Sequence, residues 1–224
     1  MKKLSIEKIN GIFTIILAIA ITEVILYLAI IETTSQNFIL SLFIDKWSHY
    51  SISYALSNLF LSYFFLTGIY LTGRHSKTYI HTLLAITLLF PIFYALVTIP
   101  IFGDFSSKGF SGIASGYFGY LVWMTFISML NKSIKEQSFM KSVWFLAAMA
   151  TITIASLPLE SNIIIIQNGT YIIKNIWAHY LGYTFGFLIP SLIYILKKEP
   201  FELCIDDTGI YGLVFITLKI ILIL

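Results

Sequence analysis

The run GIFTIILAIAITEVILYLAII, residues 11–31, contains a single charged side chain, that of Glu23. A helix needs about 20 consecutive apolar residues to cross the hydrocarbon core of a bilayer, so this run predicts a membrane-spanning helix. Five runs of similar length follow, and a shorter one ends the chain: residues 49–73, 79–102, 110–130, 139–157, 171–196 and 209–224. The sequence therefore predicts an all-α polytopic membrane protein.

The composition agrees with this class. Of the 224 residues, 58% are hydrophobic and only 11% are charged, whereas soluble domains are about 25% charged. The length suits a single integral membrane domain, residues 1–224. Cys204 is the only cysteine in the sequence, which excludes an internal disulfide framework and a thiolate metal cluster. The net charge of +3 comes from scattered basic residues, so we expect no nucleic-acid partner, and we expect no metal or cofactor.

The basic residues also predict an orientation, because cytoplasmic loops of membrane proteins are enriched in lysine and arginine. With the N-terminus in the cytoplasm, ten basic residues fall on the inner side and three on the outer side, namely Lys46, Lys108 and Lys174. We therefore expect a multi-pass protein of the cell membrane. In this orientation the second, fourth and sixth spans all run from outside to inside. The last run, which carries Lys219, is either a tilted final span or an interfacial helix.

Two spans carry small residues on one face. The fourth begins with Gly109-Phe110-Ser111-Gly112, and the sixth has Gly182 and Gly186 three and seven residues after His179. Small residues let two helix backbones approach closely. The small face of the fourth span continues at three- and four-residue steps through Gly112, Ser115, Gly116 and Gly119.

Ser111 and His179 enter the membrane from the same side in this topology. A neutral imidazole within hydrogen-bond reach of a serine hydroxyl can remove its proton and create a nucleophile. The two small faces predict the close helix contact that such a reach requires. Taken alone, each residue is more typical of a packing serine or a structural histidine, and that alternative stays open.

The second span carries a polar stripe of Ser51, Tyr54, Asn58 and Ser62, which we expect to face the bundle interior or a water-filled cavity. An asparagine amide is a common donor to the oxyanion of acyl transfer, so Asn58 is a candidate for that role. The alternative for Asn58 is interhelical hydrogen bonding. His49 lies nine residues earlier, about half a turn around a continuous helix. We therefore expect it to face away from the stripe and to be structural or interfacial.

In these motifs the sequence resembles the rhomboid intramembrane serine proteases. The Gly-x-Ser-Gly motif of that family corresponds to residues 109–112, and its Ala-His-x-x-Gly-x-x-x-Gly motif to residues 178–186. Its second helix carries two histidines and an asparagine, and His49 and Asn58 match the first histidine and the asparagine. The resemblance implies a six-helix bundle with a rhomboid-like core at about residues 40–197. A C-terminal segment at about residues 198–224 would add a seventh helix.

The resemblance also implies an activity. Ser111 would be the nucleophile and His179 the general base of a Ser–His dyad, in an active site that opens toward the outside. Asn58 and nearby backbone amides would form the oxyanion hole, with Tyr54 in the place of the second histidine. Single-span membrane proteins in the lipid bilayer would be the substrates. The loop between the fifth and sixth spans, which includes residues 163–166, would cover the site.

Three departures from the family pattern leave other functions open. Tyr54 replaces the second histidine, and Ser115 stands where an aromatic residue packs on the catalytic histidine. The loop at residues 32–48 also lacks a Trp-Arg element. A rhomboid-fold pseudoprotease that binds membrane proteins without cleaving them is therefore the first alternative. The second is a small transporter, for which Glu23, expected to be protonated or paired inside the bundle, would be the relevant group.

Overall fold

A computed structural model describes residues 5–30, 44–49, 51–102, 109–135, 164–167, 170–173, 176–197 and 208–223. Within these residues the protein has six helices and one short β-hairpin. The helices are α1 (Ile6–Ile30), α2 (Ile52–Gly73), α3, α4 (Ser111–Lys135), α5 (Ile176–Lys197) and α6 (Thr208–Ile223). Helix α3 comprises Tyr79–Leu84, a π-helical turn at Ala85–Leu89, and Phe90–Phe102.

The helices agree with the apolar runs of the sequence. Helices α1 to α4 coincide with the first four predicted spans, and α6 coincides with the last run. Among the described residues, three stretches are long and apolar enough to cross a membrane: Ile6–Leu28, Ile52–Gly73 and Tyr79–Thr98. The predicted membrane character is thus supported by three helices. The predicted span at residues 139–157 lies outside the described residues.

One predicted span begins later than expected. Residues 171–196 were predicted as a helix, but Thr170–Ile173 forms a strand that pairs antiparallel with Ile164–Gln167. The two strands have a two-residue connection, and β-branched isoleucines, which favour strands, supply most of their residues. The sixth span therefore begins at Ile176, five residues later than predicted.

The turn between α2 and α3 is tied to the start of α1. The Asn10 side-chain amide donates to the backbone carbonyls of Arg74 and Ser76, at 2.9 and 3.0 Å. One turn further along α1, the hydroxyls of Thr14 and Tyr79 are hydrogen-bonded at 2.7 Å. These bonds satisfy carbonyl groups that the end of α2 leaves without helical partners. The start of α1, the end of α2 and the start of α3 are thereby held together at one end of the bundle.

The π-helical turn in α3 has a cause in the sequence. Pro91 has no backbone N–H, and its ring would clash with the carbonyl of Thr87 in a regular α-helix. Widening the preceding turn removes this conflict. The Thr87 hydroxyl donates to the Leu83 carbonyl at 2.7 Å and is also 2.7 Å from the Tyr117 hydroxyl. The irregular turn therefore provides a polar contact between α3 and α4.

Helix α4 is the centre of the described bundle. Every residue from Gly116 to Thr125 is buried, and α4 packs against α2, α5 and α6. Aromatic side chains fill much of this core, including Tyr117, Tyr120 and Trp123. The Trp123 indole N–H donates to the Ser191 hydroxyl on α5 at 2.8 Å. A helix enclosed in this way holds its first turn in a defined position.

Glycines bring α4 and α5 into backbone contact, as predicted from their small faces. A Cβ on Gly182 would overlap the carbonyl oxygen of Gly112, and a Cβ on Gly186 would overlap that of Gly116. Moving one turn along α4 moves the contact one turn forward along α5, so the two helices run parallel. The first turns of both helices therefore lie at the same end of the bundle.

Two ionisable residues of the apolar runs, Glu23 and Lys219, have different surroundings in the structure. Glu23 is exposed on α1, so the expectation that it points into the bundle is wrong. Helix α6 packs against α2 and α4, and its Ile216 is fully buried. The Lys219 ammonium lies 3.6 Å from the centre of the Phe118 ring on α4. This helix is thus part of the described bundle.

Candidate active site

The site begins at the turn that precedes α4. Gly109 has a φ of 132°, a conformation that side chains with a Cβ rarely adopt, and its N–H donates to the Asp45 carbonyl at 2.9 Å. The Phe110 carbonyl accepts the first helical hydrogen bond, from the Ala114 N–H at 3.0 Å. Ser111 is therefore the first residue of α4. The first glycine of the Gly-x-Ser-Gly motif is explained by this backbone geometry.

The segment at residues 44–49 holds this turn against the bundle. The Trp47 ring lies 4.9 Å from the fully buried ring of Phe110. Lys46 is also buried, and its ammonium lies 3.6 Å from the centre of the Tyr94 ring on α3. Burial lowers the pKa of Lys46 to about 7, against an opposing effect of Asp45. The buried Lys46 thus fixes the segment at residues 44–49 to α3.

Replacing Lys46 with methionine is expected to stabilise the protein in a pH-dependent way. A lysine whose pKa falls on folding destabilises the fold by a constant amount below pH 7, and by less as the pH rises toward its unfolded value. The melting temperature of Lys46→Met should therefore exceed that of wild type most at pH 6 and least at pH 9. Lys77, which is exposed, supplies the control Lys77→Met. An equal gain in melting temperature at both pH values would contradict the lowered pKa of Lys46.

Tyr54 lies beside the candidate nucleophile. Its hydroxyl donates to the Ser111 Oγ at 3.4 Å, and its ring lies 3.2 Å from the position a Cβ on Gly109 would occupy. Tyr54 is in the first turn of α2, where the Ser51 hydroxyl caps the helix by accepting from the Tyr54 N–H at 3.2 Å. The Tyr54 side chain is 37% exposed. The predicted neighbour of Ser111 is thus present, at the rim of the site.

Asn58 lies one turn deeper on α2 and is buried. Its side-chain Nδ2 is 2.9 Å from the His49 Nε2, and the Phe110 N–H donates to the same Nε2 at 3.4 Å. The prediction that His49 faces away from the polar stripe is therefore wrong. It assumed a helix that includes His49, whereas α2 begins at Ile52.

His179 lies in the first turn of α5, immediately after Ala178. The Ala178 carbonyl oxygen is 3.2 Å from the position a Cβ on Gly112 would occupy. Since Ser111 precedes Gly112, this contact brings the two predicted catalytic residues into adjacent first turns. His179 is half-buried and engaged in contacts within the protein.

The polar stripe of α2 is only partly as predicted. Asn58 and Ser62 are buried as expected, and the Ser62 hydroxyl donates to the Asn58 carbonyl at 2.6 Å. Ser51 and Tyr54 are exposed instead. The stripe therefore leads from the exposed start of α2 to the interior of the bundle.

In the part of the chain that the structure describes, His, Cys, Asp and Glu form no group of three that could hold a metal.

Two features of the site were missed in the sequence. The first is the support from residues 44–49, whose contacts with Gly109 and Phe110 join segments about sixty residues apart. No local pattern predicts such contacts. The second is the hydrogen bond of His49 to Asn58, for which a signal existed. Ser51 is a typical N-cap residue, and placing the helix start there leaves His49 outside the helix.

Fold and site together define a helical protein with three helices suited to a membrane and a serine at the start of the most enclosed of its described helices. The chain matches no family model, no curated protein and no solved structure in the comparisons with known proteins. The geometry of the site and the sequence motifs are therefore the basis for a functional proposal.

Proposed function

We propose that this protein is an intramembrane serine endopeptidase of the rhomboid type, which cleaves single-span membrane proteins with a Ser111–His179 dyad. The observation that carries the proposal is the parallel, glycine-mediated contact of α4 and α5. It brings a hydroxyl and an imidazole, 68 residues apart in the sequence, into adjacent first turns at one end of the bundle.

The dyad would act by general base and nucleophilic catalysis. His179 removes the proton of the Ser111 hydroxyl as Oγ attacks the scissile carbonyl carbon. The imidazolium then gives this proton to the leaving amine, and the acyl-enzyme forms. In the second half, His179 takes a proton from water, hydroxide attacks the ester, and the proton returns to Ser111. No metal or cofactor takes part in this sequence.

The negative oxygen of the tetrahedral intermediate would be stabilised at the start of α4. The first amides of a helix have no helical acceptor, and the helix dipole is positive at this end. Ser111 is the first residue of α4, so these amides lie next to the nucleophile. The Asn58 side chain, bonded to His49 through one N–H, keeps a second N–H that can donate to the same oxygen.

The substrate class follows from the surroundings of the site. Ser111 lies in a bundle that includes three helices of membrane-spanning length and composition. A peptide bond that reaches it would come from a helix in the same bilayer, unwound locally so that its carbonyl is accessible. The excess of basic residues in the expected inner loops supports an active site that opens on the outer side, with the N-terminus in the cytoplasm.

A rhomboid-fold pseudoprotease that only binds membrane proteins is the second candidate. The observation in its favour is the substitution pattern around the dyad, with Tyr54 and Ser115 at positions where the family pattern has a histidine and an aromatic residue. The transporter hypothesis loses its main support, since Glu23 is exposed.

Labelling with a fluorophosphonate probe separates the protease from the pseudoprotease. Such probes react with an activated serine and stay attached to its Oγ. We expect the purified protein to label on the peptide that contains Ser111, as identified by mass spectrometry, and to cleave a single-span test substrate in liposomes. A protein that binds the test substrate but neither labels nor cleaves it would support the pseudoprotease.

Replacing Asn58 with alanine tests the oxyanion assignment. Loss of one preorganised oxyanion donor lowers kcat by about 10²–10³, and we expect a loss of that size for Asn58→Ala. Ser62→Ala is the matched control, because Ser62 lies one turn deeper on the same face and, within the described residues, its hydroxyl bonds only to the Asn58 carbonyl. It should cleave at close to the wild-type rate. A loss below tenfold for Asn58→Ala would make it a packing residue.

A further inference from the structure

The imidazole of His49 is the acceptor for two different donors. Its Nε2 is 2.9 Å from the Asn58 Nδ2 and 3.4 Å from the Phe110 backbone nitrogen. These contacts join the segment before α2, the buried amide on α2 and the residue that precedes Ser111. The His49 ring is also 5.5 Å from the Tyr54 ring, in an edge-on arrangement. Asn58, Phe110 and Tyr54 thus all contact one imidazole.

The backbone N–H of Phe110 determines which nitrogen of the His49 imidazole carries the proton. A backbone N–H can only donate, so the Nε2 of His49 must be unprotonated in order to accept from Phe110. Asn58 must then present its amide nitrogen to the same Nε2, because its carbonyl oxygen would face a lone pair. The Phe110 N–H therefore selects both the tautomer of His49 and the orientation of the Asn58 amide.

We propose that His49 is a positioning residue, which holds the Asn58 amide with its nitrogen toward the reacting carbonyl oxygen. The proposal rests on the proposed hydrolytic function. Without an acceptor at this place, the Asn58 amide can rotate and present its own oxygen, which repels a developing oxyanion. His49 does not touch the substrate in this assignment, and it acts only through Asn58.

The surroundings of His49 favour the required protonation state. Burial lowers the pKa of His49 to about 4, against a smaller opposing effect of the Trp47 backbone. Because the charged form is favoured only below that value, the imidazole stays neutral between about pH 5 and 8. Its Nε2 is therefore available as an acceptor throughout the range in which a dyad histidine works as a base.

A double-mutant cycle tests the proposal. His49→Leu removes the acceptor, and we expect it to lower kcat about as much as Asn58→Ala does, by about 10² or more, while KM changes little. In the Asn58→Ala background, His49→Leu should cause little further loss of rate, because the Asn58 contact through which His49 is proposed to act is already gone, although the Phe110 contact is lost in addition. His49→Gln, which can accept through its side-chain carbonyl oxygen, should recover most of the rate. Equal losses in both backgrounds would overturn the proposal.

A second measurement applies even where His49→Leu does not fold. In protein labelled with ¹⁵N-histidine, the His49 Nε2 should have the chemical shift of an unprotonated nitrogen, both in wild type and in Ser111→Ala. A protonated Nε2 at neutral pH would overturn the proposal without any rate measurement. Absence of labelling and cleavage in the wild type would instead overturn the proposed function, and the positioning role with it. The two failures are thus distinguished by whether the wild-type protein is active.

Discussion

Ser111→Ala is expected to abolish both fluorophosphonate labelling and substrate cleavage. The change removes one oxygen atom, the nucleophile itself, and such losses in serine hydrolases amount to about 10⁶ in kcat. The Tyr54 hydroxyl, 3.4 Å from Ser111 Oγ, loses its partner but stays at the exposed rim of the site, where water can replace it. The fold should therefore persist, with an unchanged helical circular dichroism spectrum and a melting temperature close to that of wild type.

Ser128→Ala is the matched control for this substitution. Ser128 is a buried serine on the same helix, about 25 Å from Ser111 at 1.5 Å per residue. This variant should label and cleave like the wild type. His179→Ala should be as inactive as Ser111→Ala, and the double variant no less active than either, because the two residues act as one unit. Persistent labelling of Ser111→Ala would identify a different nucleophile and refute the assignment.

Gly186→Ala is expected to destabilise the protein and to reduce its activity at the same time. The added methyl group would overlap the carbonyl oxygen of Gly116, a backbone atom that no rotamer change can remove. Overpacking of this kind costs about 1–3 kcal/mol, whereas replacing a helical glycine with alanine gains about 1 kcal/mol in helix propensity. The overlap should therefore dominate, and α5 should shift away from α4.

Gly11→Ala provides the opposite case in the same experiment. The nearest atom to a Cβ on Gly11 is the hydroxyl oxygen of Tyr70, at 3.1 Å, which is the end of a flexible side chain. Here the gain in helix propensity should dominate, and the melting temperature of Gly11→Ala should stay equal or rise.

The activity of Gly186→Ala should also fall, since the shift of α5 away from α4 separates Ser111 from His179. A Gly186→Ala variant with wild-type stability and rate would show that helix contact does not set the site geometry.

The sequence predicted α1 to α4 and the contact of α4 with α5 correctly, because both depend on local patterns. Apolar runs of membrane length report helices directly, and they predicted α1 to α4 to within a few residues. The glycines at three- and four-residue steps predicted the contact of α4 with α5, because a face without side chains is useful only where another backbone approaches. The positions of Gly182 and Gly186 in the structure agree with that reasoning.

Each of the three wrong predictions has its own cause. The position of His49 was inferred by extending α2 backward as a regular helix, although Ser51 caps the helix after it. The start of α5 was placed five residues early because apolar residues of a strand and of a helix are alike in hydropathy. Glu23 was expected inside the bundle on the cost of a charge in lipid, but that cost does not determine which face of α1 meets its neighbours.

By itself, the sequence determined that this chain is largely helical, that three of the described helices suit a membrane, and that α4 and α5 pack through glycine. These properties follow from the composition of one segment at a time. Only the tertiary structure decided which polar groups surround Ser111. The contacts of Asp45 with Gly109, and of His49 with Asn58 and Phe110, join segments that are remote in the chain or lie outside any helix. Such contacts depend on how the backbone folds back between helices, which periodicity does not encode.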